Sequence, residues 1–352
     1  MVKKEQKPNS DVCIVGIGCV LPDSPNPEVF WKHVLEGKCS AKEIPKTRWD
    51  KKIYYSKDYK EDKISSFKAC YVDDDIIKKI CEKQKIDENK YTRLQIMGLE
   101  ATYQAVKGAD IKNYKSKKTS IVIGCTNIDE NVSVQKFIEE KKSLENYVRK
   151  SNIKEKGKII LLLKKYFEKE SKKCKPRLPT LLTNSVTDLI NKKLGLNAEN
   201  CIVDSACASS LAAIDVSLMK LRSYESDIVI TGGIESHLGP ESFIVFDKGG
   251  LLAKDNCFPF DKRSEGLMQG EGAVIFVLKR FRDAIKDKNE IYGIIKSIGS
   301  SSDGEGSSLF SPSVNGQIRT LDDAFKYLKN KIPDYIECHG TGTNIGDNTE
   351  IT

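Results

Sequence analysis

The sequence is poor in histidine, tryptophan and methionine, with three, two and four of them in 352 residues. Its histidines, His33, His237 and His339, are far apart, and no C-x-x-C pair occurs. A zinc site needs soft ligands at short spacing, so no metal is expected. No apolar run approaches the roughly 20 residues that cross a bilayer. The opening MVKKEQKPNS is basic but lacks the apolar block of a secretory leader. The expected location is therefore the cytoplasm, with no membrane contact. Eleven cysteines are spread from Cys13 to Cys338. In that compartment they are expected to be reduced, most of them serving as small buried apolar groups.

What is present describes a folded chain. Residues are 39% hydrophobic and 31% charged, too apolar for a disordered tail and too charged for a membrane protein. The length suits one large or two ordinary domains. The net charge of +8 invites a nucleic-acid reading. However, lysines and acids alternate in KKIYYSKDYKEDK, and the only dense basic stretch is 141–177. No nucleic-acid-binding motif accompanies it, so a solvated lysine-rich surface is the preferred reading and no nucleic-acid partner is expected.

Patterning alternates strands and helices. DVCIVGIG (11–18) reads as a buried strand entering a glycine turn; Leu21 stands where a dinucleotide fingerprint needs its third glycine. A capped helix follows at 26–37, closed by Gly37. Residues 41–75 lack periodicity and read as an irregular surface excursion. A helix at 91–107 carries Leu94, Met97, Ala101 and Ala105 at helical spacing. Further strands are expected at 119–126, 199–206, 226–236 and 273–280, with helices at 183–193 and 207–222. The charged, helical stretch 128–177 reads as an elaboration on the outside of the domain. This order implies a layered α/β fold with a mixed, largely parallel sheet. After a charged spacer (281–290), a strand at 291–300, a helix at 315–330 and a strand at 334–340 echo the opening, as in a fold of two similar halves. The expected division is 1–285 for the first half and 286–352 for the start of the second. Only about sixty residues of the second are present where its twin has well over 100.

Three constellations carry chemistry. In Val203-Asp204-Ser205-Ala206-Cys207-Ala208-Ser209-Ser210-Leu211 a strand turns sharply into a helix whose apolar side includes Leu211, Ile214, Leu218 and Leu221. Cys207 lies at the turn, where free N–H groups and the helix dipole favour a thiolate. Spacing alone leaves open whether it is a nucleophile on an elbow or a structural cysteine among small residues. Glu337-Cys338-His339-Gly340-Thr341-Gly342-Thr343 places a histidine before a Gly/Thr segment that can approach a ligand closely. Alone, His339 suits a structural role; the accessible cysteine far upstream makes it a candidate partner. The third, Phe260 to Ala273, reads as a tight loop pinned by ion pairs. Asp261, Arg263 and Glu271 are its expected structural supports.

Together these segments resemble the β-ketoacyl synthase (ketosynthase) domains of fatty acid and polyketide synthases, which have the thiolase-like layered α/β/α/β/α fold. The landmarks are DVCIVGIGCVLPDSPNPEVFWKHVLEGK, IPKTRWD, DSACASSLAAID, FDKRSEGLMQGEGA and ECHGTGTNIGD, in order and across almost the whole chain. The resemblance implies that Cys207 accepts an acyl group and that His339 assists decarboxylation of a malonyl-type extender on an acyl carrier protein. It further implies that Thr341 and Thr343 hold the phosphopantetheine arm, that no cofactor is needed, and that the complete domain is a homodimer paired through the strand at 199–204. The second histidine, the lysine before it and the later Gly-Phe turn of that family have no counterpart in these residues. Two other readings are a non-catalytic or split subunit that binds carrier protein or completes a partner chain, and a thiolase-fold enzyme acting on coenzyme A thioesters.

Overall fold

Apolar side chains alternate faces along the strands, and that alternation builds the core of the computed structural model. It describes residues 11–56, 63–110, 117–126, 130–173, 182–304, 311–326, 328 and 332–352, with the side chains of 130–139 and 169–173 left aside. The basic segment 1–10 and parts of 41–75, 128–177 and 315–330 therefore lie outside the described residues.

Five longer strands, β1 (Val12–Val20), β4 (Thr119–Gly124), β5 (Glu199–Val203), β6 (Ile228–Glu235) and β7 (Gly272–Arg280), and the short β8 (Gly293–Ile295) form one sheet. Its order is β5-β4-β6-β7-β1-β8. The pairs β4/β5 and β4/β6 are parallel, whereas β6/β7, β7/β1 and β1/β8 are antiparallel. The sheet is thus mixed but not largely parallel, because β7 runs antiparallel to both of its neighbours, β6 and β1, and β8 runs antiparallel to β1. A second, two-stranded ribbon joins β2 (Ala41–Glu43) and β3 (Lys68–Cys70).

On one face, Ile121, Ile123, Ile228, Ile230, Ile275 and Val277 meet α3 (Asp74–Gln84), α4 (Arg93–Gly108) and α7 (Ser185–Leu194). The intervening Val122, Val229 and Leu278 meet α8 (Ser209–Arg222) on the other. Leu94, Met97, Ala101 and Ala105 are all buried, and Thr92 with Gln95 closes a capping box at the start of α4. Helix α1 (Pro27–Leu35) is capped by the Asn26 side chain, and Gly37 beyond it takes φ +62°.

The described parts of 41–75 are not a surface excursion. Ile44, Trp49, Ile64, Ala69 and Tyr71 build a second core with Leu238, Phe243 and Leu252, around α2 (Lys51–Tyr54) and α9 (Pro240–Lys248). The Trp49 indole donates to the Leu238 carbonyl at 3.0 Å and meets the Phe243 ring edge-on. Its partners are distant in sequence, so no local periodicity announces it. The spacer at 281–290 is likewise ordered, as α10 (Phe281–Asp287).

Downstream, the expected strand at 291–300 shrinks to β8, which joins the first sheet beside β1. No strand forms at 334–340: the segment finds no described neighbour to pair with, and Ile332 is 90% exposed. A second sheet layer is therefore not formed among the described residues. Helices α11 (Val314–Phe325) and α12 (Asn344–Ile351) flank that stretch. Residues Asn127–Ser185 cluster as a unit of their own, made of α5 (Glu130–Lys150) and α6 (Lys156–Lys173), and the remainder of the chain is the other unit. Among the described residues no helix is long and apolar enough to cross a membrane.

Glu271 is buried where the second core meets the sheet. Its Oε1 accepts from Arg48, from Arg93 at 3.0 Å and from the Val72 amide at 2.9 Å. Removing one partner of such a pair strands the other charges away from water. Glu271→Ala is expected to lower stability by about 3 kcal/mol, measured as a fall in the urea midpoint; an unchanged midpoint would refute the pinning role.

Candidate active site

The C-terminal edge of the parallel strands carries the site. β4 and β6 end with Gly124 opposite Gly233. A Cβ on Gly124 would lie 2.4 Å from the Ser209 backbone, and one on Gly233 would lie 2.8 Å from the Ser210 Cβ. Two bare positions thus let the first turn of α8 settle onto the sheet. β5 enters this turn through an elbow in which Ala206 takes φ +49°, a left-handed conformation unusual for a residue with a Cβ. The buried Ser209 hydroxyl accepts from the Ser205 amide at 2.9 Å and donates to the Ala206 carbonyl at 2.6 Å. Cys207 projects from the elbow into solvent. Leu211, expected on the apolar side of α8, is 61% exposed; Ala213, Ser217, Leu218 and Leu221 face the sheet instead.

His339 comes to Cys207 from the other end of the chain. Hydrogen bonding with the imidazole is the main cause that holds the thiol below its ordinary value of 9.0, against the opposing effect of desolvation. The same interaction raises His339 above 6.5, with Glu350 adding to the rise. The pair therefore leans toward thiolate and imidazolium, which supplies a sulfur nucleophile and an N–H donor side by side.

Two carboxylates that sequence patterning does not single out place the histidine loop. Asp347, on α12, is buried and accepts from the Phe260 amide at 2.6 Å, the Gly342 amide at 3.0 Å and the Ser264 hydroxyl at 3.1 Å. Ser264 also donates to the Gly342 carbonyl. Gly342 has φ +71°, and a Cβ there would sit 2.7 Å from the Gly266 carbonyl oxygen, so the loops meet at a contact only glycine permits. Glu350, one α12 turn beyond Asp347, accepts from the His339 and Gly340 amides at 2.6 and 2.7 Å. The signal in the sequence is G-D-x-x-E just after HGTGT, two acids on one helix face.

The remaining candidates fall in different places. The Thr341 and Thr343 hydroxyls lie 3.0 Å apart beside the histidine loop, and Thr343 also caps α12 by accepting from the Gly346 amide at 3.2 Å. Asp261 and Arg263 form a bidentate ion pair with each other, which drops the exposed Asp261 carboxyl to about 2. This pair shapes its own turn; the Phe260 amide and the Ser264 hydroxyl tie that turn to Asp347. Glu271 serves the second core rather than the thiol. Among the described residues no cluster of three or more His, Cys, Asp or Glu side chains could hold a metal ion.

Residues 9–284 match the Beta-ketoacyl synthase, N-terminal domain, and residues 292–352 match the Beta-ketoacyl synthase, C-terminal domain. The chain belongs to the β-ketoacyl synthase family. Polyketide synthase PksN of Bacillus subtilis is 29% identical over 351 residues, 97% of this chain and 6% of that protein. A phenolphthiocerol/phthiocerol polyketide synthase of Mycobacterium tuberculosis is 25% identical over 358 residues, 99% of this chain and 15% of that one. Among solved structures, the ketosynthase from module 6 of the bacillaene synthase of Bacillus subtilis superposes with a TM-score of 0.73 at 24% identity, covering 97% of this chain and 53% of that one. The oxazolomycin ketosynthase domain of Streptomyces albus gives 0.80 at 18% identity, covering 97% of this chain and 55% of that one. The fold is thiolase-like, as these ketosynthases are. The chain spans a small part of the curated relatives and about half of the solved ketosynthase chains.

Within this ketosynthase site, Glu350 reaches the thiol's partner, accepting from the His339 amide and adding to the rise of its imidazole. Glu350→Gln is expected to slow iodoacetamide labelling of Cys207 near neutral pH by about tenfold. The half-labelling pH should move upward, because a less cationic imidazole stabilises the thiolate less. Peptide mass spectrometry across a pH series reads both, and an unmoved midpoint would limit Glu350 to a structural role.

Proposed function

We propose that this chain serves a decarboxylative Claisen condensation, with Cys207 as acyl acceptor and His339 as its partner. The pairing of these two side chains across 132 positions of sequence carries the reading. The Cys207 thiolate attacks the carbonyl carbon of an acyl thioester, and the carrier thiolate leaves, taking up a proton. A malonyl-type thioester then loses its carboxylate as carbon dioxide. The electrons of the breaking C–C bond flow into the thioester carbonyl, where the His339 N–H meets the developing oxyanion. The resulting carbanion attacks the acyl carbon on Cys207, expelling the thiolate and yielding a 3-oxoacyl thioester. The Cys207 backbone N–H is one oxyanion donor for these steps. Neither metal nor redox cofactor enters this balance.

An acyl carrier protein is the proposed bearer of the substrates, its phosphopantetheine arm lying along Thr341 and Thr343. Since the Thr343 hydroxyl already caps α12, Thr341 has the greater freedom to bind. Homodimer pairing is proposed through β5, because this strand forms one edge of the sheet and pairs only with β4 among the described residues. Multi-angle light scattering of the complete domain is expected to report a dimer, and a monomer at micromolar concentration would exclude this pairing. One observation favours a second reading, in which the chain works completed by another polypeptide: Leu211, Ile332, Tyr335 and Ile336 stay exposed where an apolar cover would fit.

Incubation with an acyl thioester, followed by intact mass, tests the reading. An adduct is expected on the unaltered chain and none on Cys207→Ala. Since the thiol lies below its ordinary value, acylation is expected to rise with pH to a midpoint below 9.0, and His339→Ala should move that midpoint up. No adduct at any pH would sink the proposal for the chain on its own.

A further inference from the structure

The positive charge of the chain is concentrated rather than diffuse. Residues 127–185 hold 15 Lys and Arg against 8 Asp and Glu, a net +7 of the total +8. The other 293 residues, with 43 basic and 42 acidic side chains, are nearly neutral. This stretch is also the separate unit built from α5 and α6. Val148 on α5 and Phe167 on α6 are its buried side chains among those described. A hairpin of this length needs no further apolar residues on its outer surface, yet it displays several. Tyr147 is 69% exposed, Leu162 59% and Tyr166 56%, and Leu144 and Leu161 are exposed as well. On α6, Leu162 and Tyr166 are one turn apart, and Leu161 lies one turn from Lys165; Lys164 and Lys165 are exposed among them.

We propose that this helical hairpin is a peripheral docking surface for an anionic lipid bilayer. Lysines near a negatively charged leaflet draw the unit to it, and leucine and tyrosine side chains enter the headgroup boundary, where tyrosine in particular is at home. The kind of base present selects lipid over other polyanions. Thirteen of the 15 basic residues are lysine and only Arg149 and Arg177 are arginine. Lysine is a hydrated point charge suited to a fluid surface without fixed geometry, whereas stereospecific recognition of phosphate or carboxylate groups favours the arginine fork. The exposed adjacent pair Leu161-Leu162, followed closely by Lys164 and Lys165, matches a surface that deforms around apolar side chains. The inference replaces the expectation of no membrane contact, which rested on the lack of a spanning segment and says nothing of a surface-bound unit.

The test is co-sedimentation of the full chain with vesicles of phosphatidylcholine alone, or with about 30 mol % phosphatidylserine added. Binding is expected to be at least about tenfold stronger to the anionic vesicles and to weaken as salt rises. Lys164→Glu with Lys165→Glu should abolish the preference for phosphatidylserine. Leu161→Ser with Leu162→Ser should weaken binding severalfold while keeping it. The comparison of vesicles on the unaltered chain stands without any variant, so a misfolded variant cannot decide the result. Equal or absent binding to the two vesicle types overturns the proposal. So does capture of RNA or polyglutamate by a chain that leaves anionic vesicles unbound.

Discussion

Two loops that secondary structure alone would leave apart are held together by the carboxylate of Asp347, and the geometry of the site follows from that contact. Its two oxygens gather amides from Phe260 and Gly342 and the hydroxyl of Ser264. An ionised carboxylate out of water must be given donors, and three in one small volume satisfy it only when both loops are in place. Asp347 thereby sets where Gly342 lies, and Gly342 is three residues from His339. Glu350, on the same helix, completes the constraint by accepting from the His339 amide itself. Helix α12 thus acts as a bracket whose two acids face the loop that precedes it.

The cysteine side of the site is built by subtraction. Gly124 and Gly233 leave a bare floor on the sheet, the helix settles into it, and the strand must turn so tightly that Ala206 is driven to positive φ. Ser209 offsets part of that cost with two hydrogen bonds across the turn. What emerges is a thiol held out from the backbone on a rigid elbow, with an imidazole beside it to favour its charged form. Rigidity here comes from the sheet and polarity from the histidine loop, so the two contributions to reactivity arise in segments far apart in sequence.

Local chemistry makes much of this legible in the sequence. Strands β1, β4, β6 and β7 declare themselves by β-branched runs. The start of α4 is written in Thr92 and Gln95, and Cys207 in small neighbours between a strand and a helix. What escapes depends on partners that no window contains. Trp49 lies in a featureless stretch because its core mates are Leu238 and Phe243. Ile336 sits in a run that reads as a strand, yet a strand exists only where a neighbour accepts its hydrogen bonds. Glu271 reads as support for the nearby loop, whereas its cations come from Arg48 and Arg93. Leu211 follows the helical period but falls on the side of α8 away from the sheet. Pattern gives the period of an element; which face meets another layer is settled in space.

The pairing of β1 with β7 has a consequence for biosynthesis. The Cys13 thiol meets the Lys279 carbonyl across 266 positions of sequence. A ribosome adding 5–20 residues each second would take roughly 15–50 s to deliver that partner after β1 has emerged. Through that interval the nascent chain carries VCIVGIGCV, an apolar strand whose sheet neighbours β7 and β8 are still to be made. Helix α4 is made long before β7 and can shelter one face of β1 but neither edge. Strand β1 is thus made before both of its sheet neighbours and is closed in only once β7 and β8 have followed.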